Sequence, residues 1–338
     1  MMNIIYALAL TSQVVNALPS IVAERATAAQ VGYISVSVAT LWSTSSKPRP
    51  LVDAPALTNP ADIDGWLSSM NVSQYLDLTD SSRTQTQALY GAQVGIISEQ
   101  NGWYEIEAIG QPSPKDPIGY PGWVPTAQVS LDSSYGKLQS KKPFAAIDKV
   151  ATAPLYRDVL LKEKYLEISY NTRLPVMAHL GKLIQVAVPG GGSAYLSAKH
   201  ATVYNSVSKI PYPTGKDLVE AGKLFLDRPY LWGGASGFAF DCSGLTHTLY
   251  DAHGITIARD AGDQAGFTGH GTNVDRSELK AGDLIYYSSN NKSSSIYHVT
   301  MYVGNNEMIE AHGAGVPVKI SPVRDDDSYW GAQRFLTR

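Results

Sequence analysis

A single cysteine, Cys242, is the residue of this 338-residue chain best suited to nucleophilic chemistry. One thiol cannot form a disulfide within the chain, and its neighbours Asp241 and Ser243 are polar rather than part of an apolar run. Glycines precede it, and a helix-forming segment, 245–252, follows it. Unpaired N–H groups at a helix N-terminus favour a thiolate, the nucleophilic form of cysteine. We therefore interpret Cys242 as a catalytic nucleophile rather than as a small buried apolar side chain.

His298 is the candidate general base for this thiol, since it stands near the start of an alternating segment, 296–303. The alternation predicts a strand whose apolar residues face the core, with Thr300 and Tyr302 on the same polar face as His298. An imidazole in that position can project into a cleft and exchange a proton with a thiol. The alternative interpretation is an ordinary surface histidine.

Glu310 and His312 are the two candidates for a group that orients His298. The segment 304–306 predicts a turn, and both residues lie on one face of the strand that returns from it. Which of them faces His298 depends on the hairpin register, and the sequence leaves that register open by two residues. A carboxylate would hold the ring tautomer and stabilise an imidazolium more strongly than a second imidazole would.

The elements that must position these residues begin with two strand-rich segments. Short strands with closely spaced turn signals predict a small β-barrel in the first segment, beginning with a strand over 34–38. One or two helical turns are expected over 62–75, inside a long insertion. A second set of strands runs from 145 to 205, and the glycines at 190–192 predict a hairpin turn rather than a phosphate-binding loop.

After residue 212 the apolar period changes from that of strands to that of helices. The segment 214–225 and the segment after Cys242 predict helices, and later segments predict strands. Helices followed by antiparallel strands indicate an α+β domain. The expected organisation is a signal peptide at 1–17, β-barrels at 30–138 and 143–208, and an α+β domain at 212–338.

Charge and targeting signals narrow the function classes further. The net charge is −3 and no run of Lys and Arg stands out, so nucleic acid is not expected as a partner. The apolar run at 4–10, followed by small residues at 15–17, is typical of a secretory signal and is too short to span a bilayer. We expect a monomer without a membrane span, secreted or associated with a cell wall.

Three motifs in the last segment resemble those of the NlpC-type cysteine peptidases. They are YLWGG at 230–234 with FDCSGL at 240–245, AGDLI at 281–285, and HV at 298–299 with YVG at 302–304. The resemblance covers about 212–338 and implies a papain-like fold that cleaves bacterial cell-wall peptides without a metal or other cofactor. It also implies Cys242 as nucleophile, His298 as base and Glu310, twelve residues after the base, as third member, with His312 as the alternative.

The earlier segments resemble the bacterial SH3-like domains of the YkfC-type γ-D-glutamyl-L-diamino acid endopeptidases. LYG at 89–91, Trp103 and GYPGWVP at 119–125 carry this resemblance. It implies two SH3-like β-barrels ahead of the catalytic domain, and a pocket for the free amine of an N-terminal L-Ala and the α-carboxylate of D-Glu. The substrate-binding residues that it implies are Tyr120, Asp241, Ser243 and Asp260.

Two positions depart from the YkfC-type pattern. Ala92 stands where those proteins often have Glu after LYG, and Ala261 stands where they often have Ser after Arg-Asp. If that Glu anchors the amine, its loss weakens the requirement for a free N-terminus.

The expected function is that of a secreted cysteine endopeptidase that hydrolyses the γ-D-glutamyl–diamino acid bond of murein peptides and prefers a free N-terminal L-Ala. The expected partners are peptidoglycan stem peptides or free murein peptides, with either diaminopimelate or lysine as the diamino acid. Two alternatives are a cell-wall binding protein with an inactive catalytic domain, and a related thiol amidase or acyltransferase.

Overall fold

The computed structural model of the protein describes residues 30–266 and 271–338. The signal peptide predicted at 1–17 lies outside the described residues. Two seven-stranded sheets and one six-stranded sheet follow each other along the chain, with a two-stranded sheet between the second and the last. Among the described residues, no helix is long and apolar enough to cross a membrane.

The first sheet, here called the first β-unit, is antiparallel and has the order β3-β2-β6-β5-β4-β1-β7. Its strands are β1 (Gln30–Ile34), β2 (Val38–Trp42), β3 (Thr84–Leu89), β4 (Gln93–Gln100), β5 (Trp103–Ile109), β6 (Gly119–Pro125) and β7 (Val129–Ser130). The sheet closes over an apolar core that includes Ile34, Leu41, Val94 and Ile106.

The continuous strand predicted over 34–38 is wrong. β1 ends at Ile34, the chain bends over 35–37, and β2 begins at Val38. The Ser35 N–H donates a hydrogen bond to the Gln128 carbonyl at 2.9 Å, which holds the bend. Because of this bend, β1 pairs with β4 and β7 while β2 pairs with β3 and β6.

The insertion between β2 and β3 forms three helices, α1 (Ala54–Leu57), α2 (Ile63–Ser69) and α3 (Val72–Asp80). The predicted helical turns are confirmed, and the helical part extends beyond 62–75. A reciprocal pair of hydrogen bonds between Asn71 and Gln74 caps α3. Trp66 of α2 packs in one apolar cluster with Leu231 and Phe238, so the insertion braces the loop that precedes Cys242.

The second β-unit repeats the strand order of the first, as β10-β9-β13-β12-β11-β8-β14. Helix α4 (Ser133–Lys141) leads into it, and its strands are β8 (Phe144–Ile147), β9 (Thr152–Tyr156), β10 (Lys164–Ser169), β11 (Arg173–Leu180), β12 (Leu183–Ala187), β13 (Ser193–Ser197) and β14 (Ala201–Tyr204). The hairpin predicted at 190–192 is confirmed between β12 and β13. All three glycines there have positive φ, which a side chain would make costly.

The C-terminal unit places helices before an antiparallel sheet of order β17-β22-β18-β19-β20-β21. Its elements are α5 (Gly215–Lys223), β15 (Ala235–Ser236), β16 (Ala239–Phe240), α6 (Cys242–Ala252), α7 (Ala261–Gly266), β17 (Thr272–Val274), β18 (Leu284–Ser288), β19 (Ile296–Gly304), β20 (Glu307–Glu310), β21 (Lys319–Pro322) and β22 (Tyr329–Arg334). Leu245 and Leu249 of α6 share a core with Val299 and Met301 of β19. This packing holds the start of α6 against the strand that carries His298.

Candidate active site

Cys242 is the first residue of helix α6, as the sequence predicts. Asp241 caps the helix by accepting a hydrogen bond from the Gly244 N–H at 2.6 Å. The Cys242 side chain is almost buried, with 8% of the residue exposed. Its sulfur accepts a hydrogen bond from the Val299 N–H, so the thiol lies beside the His298–Val299 peptide of β19.

The thiolate expected at Cys242 is not the form that its surroundings in the structure favour. Burial raises the pKa of the Cys242 thiol to about 12, and the negative charge of Asp241 acts in the same direction. The Val299 and Ser243 N–H groups and the Arg259 cation lower it without outweighing burial. The resting site therefore holds a neutral thiol, because the favourable helix terminus is weaker than the cost of a buried charge.

His298 is buried on β19, so it is not a surface histidine. The predicted polar face of this strand is wrong in part, because Thr300 is fully buried. Burial lowers the pKa of His298, and a hydrogen bond with Glu310 opposes that shift. The ring therefore rests neutral beside a neutral thiol.

Glu310 makes the direct contact with the imidazole. Its Oε2 lies 2.8 Å from His298 Nε2, whereas His312 Nδ1 lies 3.3 Å from the same oxygen. Because Nε2 must donate to an ionised carboxylate, Nδ1 of the neutral ring carries no proton and is available as an acceptor. The structure thus brings both candidate orienters to His298, with His312 behind Glu310.

The hairpin register explains this arrangement. Met301 pairs with Ile309, and extending that register sets Glu310 opposite Thr300 and His312 opposite His298. Glu310 reaches His298 along the diagonal, and the His312 ring lies edge-on to the His298 ring at 5.6 Å. A diagonal neighbour on the same face is within reach of a long side chain.

Ser321 and Arg324 complete the surroundings of Glu310, and the sequence motifs do not include either. Ser321 Oγ donates to Oε1 at 2.7 Å, and Arg324 Nη1 donates to Oε2 at 2.9 Å. Burial would raise the pKa of Glu310, but the hydrogen bonds from His298, Ser321 and Arg324 hold it well below its usual range. The carboxylate is therefore ionised at every physiological pH.

Three side chains of the site lie close enough together to act as ligands of one metal ion. Ligand atoms of His298, Glu310 and His312 all lie within 4.8 Å of one another. The Arg324 cation on Glu310 opposes the binding of a second cation at this carboxylate. That the site works without a metal stays a prediction.

Arg259 ties the start of α6 to the rest of the site, and its central position was not foreseen. It is fully buried and donates Nη1 to Asp241 Oδ1 at 3.0 Å and Nη2 to Asp241 Oδ2 at 2.8 Å. Nη1 also donates to Ser243 Oγ at 3.1 Å, and the Gly233 N–H donates to Asp241 Oδ2 at 2.9 Å. Both oxygens of Asp241 thus face donors within the protein, and this carboxylate fixes the loop and helix around Cys242.

The first β-unit packs directly against the C-terminal unit at this point. Arg259 Nε donates to Thr86 Oγ1 at 2.8 Å, and the Arg259 N–H donates to the Pro112 carbonyl at 3.0 Å. Thr84 Oγ1 donates to the Trp232 carbonyl at 2.6 Å. Strand β3 and the loop between β5 and β6 therefore form one wall of the site.

Tyr120 and Asp260 meet across this boundary. The Tyr120 hydroxyl donates to Asp260 Oδ2 at 2.8 Å, and burial, followed by the Asp260 charge, raises the Tyr120 pKa above its usual range. Two further residues not foreseen from the sequence join them. Lys115 Nζ donates to the Tyr120 hydroxyl and to Gln85 Oε1, the latter at 2.9 Å.

The two departures from the YkfC-type pattern lie elsewhere. Ala92 lines a separate crevice with Gly91, Arg173 and Asp251, which does not include Tyr120 or Asp260. Ala261 is the first residue of α7 and packs into the core of the C-terminal unit.

Two family models match the chain. The NlpC/P60 family model matches residues 227–337, and the YkfC SH3b2 domain model matches residues 149–204. The first range covers the helices and sheet that carry Cys242, His298 and Glu310. The second lies within the second β-unit.

Curated relatives match most of the chain. A γ-D-glutamyl-L-lysine dipeptidyl-peptidase of Bacillus cereus is 40% identical over 307 residues, which cover 90% of this chain and 90% of that protein. The protein of the same name from Bacillus subtilis is 35% identical over 289 residues, which cover 84% of this chain and 90% of that protein.

A solved structure has a similar overall fold. The crystal structure of an NlpC/P60 family protein from Bacillus cereus matches with a TM-score of 0.85 and 40% identity, covering 90% of this chain and 99% of that chain. The NlpC/P60 model covers both the buried thiol at a helix N-terminus and the histidine on the adjoining strand. The chain therefore belongs to the NlpC/P60 family, as a cysteine peptidase that carries a YkfC-type SH3b2 domain.

Proposed function

We propose that this protein hydrolyses the bond between γ-D-Glu and the diamino acid of bacterial cell-wall peptides. The observation that carries the proposal is the Cys242 thiol, which lies against the His298–Val299 peptide while Glu310 holds the imidazole at 2.8 Å. Two relatives of nearly the same length, which are named γ-D-glutamyl-L-lysine dipeptidyl-peptidases, support the bond and the substrate class.

Catalysis begins from the neutral pair. His298 Nδ1 takes the thiol proton as Cys242 Sγ attacks the γ-carbonyl carbon, and Glu310 stabilises the imidazolium that forms. The Cys242 N–H, at the helix N-terminus, donates to the developing oxyanion. The imidazolium then protonates the leaving amine of the diamino acid, and the neutral ring activates water to hydrolyse the thioester.

Substrate binding uses the boundary between the first β-unit and the C-terminal unit. Tyr120 and Asp260 accept the amine of an N-terminal L-Ala, and Ser243, beside the nucleophile, binds the α-carboxylate of D-Glu. Asp241 acts through Arg259 and the helix start, since donors of the protein already surround both of its oxygens. An SH3-like fold of the first β-unit is supported by its strand order, which equals that of the second.

The protein acts outside the cell, as a monomer, on peptidoglycan stem peptides or on free murein peptides. The apolar run at 4–10 supports secretion.

The test is mass analysis of products from L-Ala-γ-D-Glu-L-Lys and from its diaminopimelate counterpart. We expect release of L-Ala-γ-D-Glu by the wild type and its loss in Cys242→Ala, because the variant lacks the nucleophile. Unchanged far- and near-ultraviolet circular dichroism would show that the fold is kept. Full release by Cys242→Ala would refute the proposal, and an amine adduct in place of the free dipeptide would indicate acyl transfer.

A further inference from the structure

The ammonium group of Lys115 occupies a cage of oxygen acceptors at the edge of the site. Its Nζ donates to the Tyr120 hydroxyl and to Gln85 Oε1, and it lies 3.5 Å from Asp260 Oδ2. It also lies 4.1 Å from the centroid of the Tyr120 ring, within the range of a cation–π contact. Any primary ammonium group can bind to this set of groups, which comprises one carboxylate, two neutral oxygens and an aromatic face.

The backbone that carries Lys115 is held in place. The Lys115 N–H donates to Ser113 Oγ at 3.2 Å, the Ile118 N–H donates to Asp116 Oδ1 at 2.8 Å, and the Pro112 carbonyl accepts from the Arg259 N–H. The side chain itself is 44% exposed, so it can leave the cage for water without moving the loop. The cage is therefore preformed, and its occupant is exchangeable.

The Tyr120 hydroxyl donates directly to Asp260 Oδ2 at 2.8 Å, and the Lys115 ammonium group contacts both of these groups. A peptide amine that binds to these same groups must displace Lys115. The favourable free energy of binding of that amine is then reduced, because the ion pair between Lys115 and Asp260 is broken. A peptide with an acylated amine leaves Lys115 in place, and Asp260 then keeps a cation instead of being left without one.

We propose that Lys115 is a specificity-determining residue that neutralises this cage from within, so that the protein accepts N-acylated peptides beside peptides with a free amine. The inference rests on the proposed function, because it concerns the same substrate pocket. The ligand class that it adds is a stem peptide whose first residue is joined to an acyl group through an amide, as in intact cell wall.

The test compares L-Ala-γ-D-Glu-L-Lys with its N-acetyl form in the wild type, Lys115→Met and Lys115→Arg. Met has a similar length without the charge, and Arg restores a cation. We expect the ratio of kcat/KM, free amine over N-acetyl, to rise about tenfold or more in Lys115→Met, as for one hydrogen bond to a charged group. Lys115→Arg should keep the ratio of the wild type, and so should Lys137→Met, which changes an exposed lysine on α4.

A binding measurement separates this inference from the proposed function. Calorimetry of the same two peptides with Cys242→Ala, with and without Lys115→Met, reports the amine preference when no bond is cleaved. If the wild type cleaves neither peptide, the proposed function fails, while the calorimetric ratio still decides the role of Lys115. A ratio that Lys115→Met leaves unchanged in both measurements would overturn the inference.

Discussion

At the scale of single residues, burial decides the protonation states of Cys242 and His298. Cys242 and His298 are both shielded from water, so burial raises the thiol pKa and lowers the imidazole pKa. Each shift favours the uncharged form, and a neutral pair is the state that two buried groups adopt together. In the proposed mechanism, proton transfer therefore accompanies attack on the substrate rather than preceding it.

This state predicts an unusual pH dependence. Because burial lowers the pKa of His298 from 6.5, the neutral base should persist below that pH, and kcat/KM should begin to fall only in more acidic solution. Alkylation of Cys242 by iodoacetamide should be slow at neutral pH and should rise about tenfold per pH unit, since the thiol pKa is about 12. An alkylation rate that stays constant between about pH 6 and pH 9 would mean a resting thiolate and would contradict the neutral pair.

Substitution of Glu310 and substitution of His312 should lower kcat to different extents. Glu310→Gln removes the charge that stabilises the imidazolium and leaves Arg324 against a neutral amide, so we expect kcat to fall by roughly 10² to 10⁴. His312→Gln should change kcat by less than about tenfold, because that side chain is 47% exposed and meets the His298 ring edge-on, while its hydrogen bond goes to Glu310. Steady-state kinetics of the two variants compare them, and a larger loss for His312→Gln would reverse the assignment.

At the scale of elements, one buried ion pair joins the nucleophile helix to its surroundings. Arg259 holds both oxygens of Asp241, the cap of α6, and also reaches Thr86 on β3 of the first β-unit. The position of Cys242 therefore depends on a strand more than 150 residues earlier in the chain.

Removing this arginine should destabilise the protein strongly. Arg259→Met leaves Asp241 buried without its cation, a change that costs about 3–5 kcal/mol. Arg157→Met is the matched control, because it breaks an ion pair with Glu163 whose side chains are 58% and 67% exposed, worth less than about 1 kcal/mol. Denaturant unfolding followed by fluorescence measures both, and equal midpoints for the two variants would contradict the structural role of Arg259.

At the scale of the whole molecule, the peptidase site is completed by a neighbouring unit. The C-terminal unit supplies Cys242, His298 and Asp260, whereas the first β-unit supplies Tyr120 and Lys115. The α2 helix of the insertion adds Trp66 to the apolar cluster that braces the loop before Cys242. Under the proposed function, residues of both units would bind the peptide end, whereas the C-terminal unit alone would cleave the bond.

Because Tyr120 lies in the first β-unit, its substitution should weaken binding of the substrate without changing the reactivity of Cys242. Tyr120→Phe keeps the ring but removes the hydroxyl that binds Asp260, so kcat/KM for L-Ala-γ-D-Glu-L-Lys should fall by about tenfold while Cys242 alkylation is unchanged. Tyr135→Phe is the control, since this tyrosine is equally buried but packs with Tyr33 and Ala187. Equal activity of the two variants would separate Tyr120 from substrate binding.

Much of the local structure could be predicted from the sequence, because it depends on neighbouring residues. Asp241 before Cys242 caps a helix, Thr214 caps α5 through Asp217, and the glycines at 190–192 form a turn wherever they lie. The strand expected over 34–38 failed for the opposite reason. Its alternation is local, but the bend over 35–37 serves pairing with strands far along the chain.

The sequence by itself predicted a nucleophilic cysteine at a helix start, a histidine on a strand of the following sheet and two residues on one face as the possible partners of that histidine. Only the tertiary structure decided that Glu310 bonds His298, that Ser321 and Arg324 keep this carboxylate ionised, and that the thiol rests neutral. It also decided that Lys115 occupies the cage beside Asp260. The physical reason is that capping and periodicity act over a few residues, whereas register, burial and charge pairing arise between segments that meet only in the folded chain.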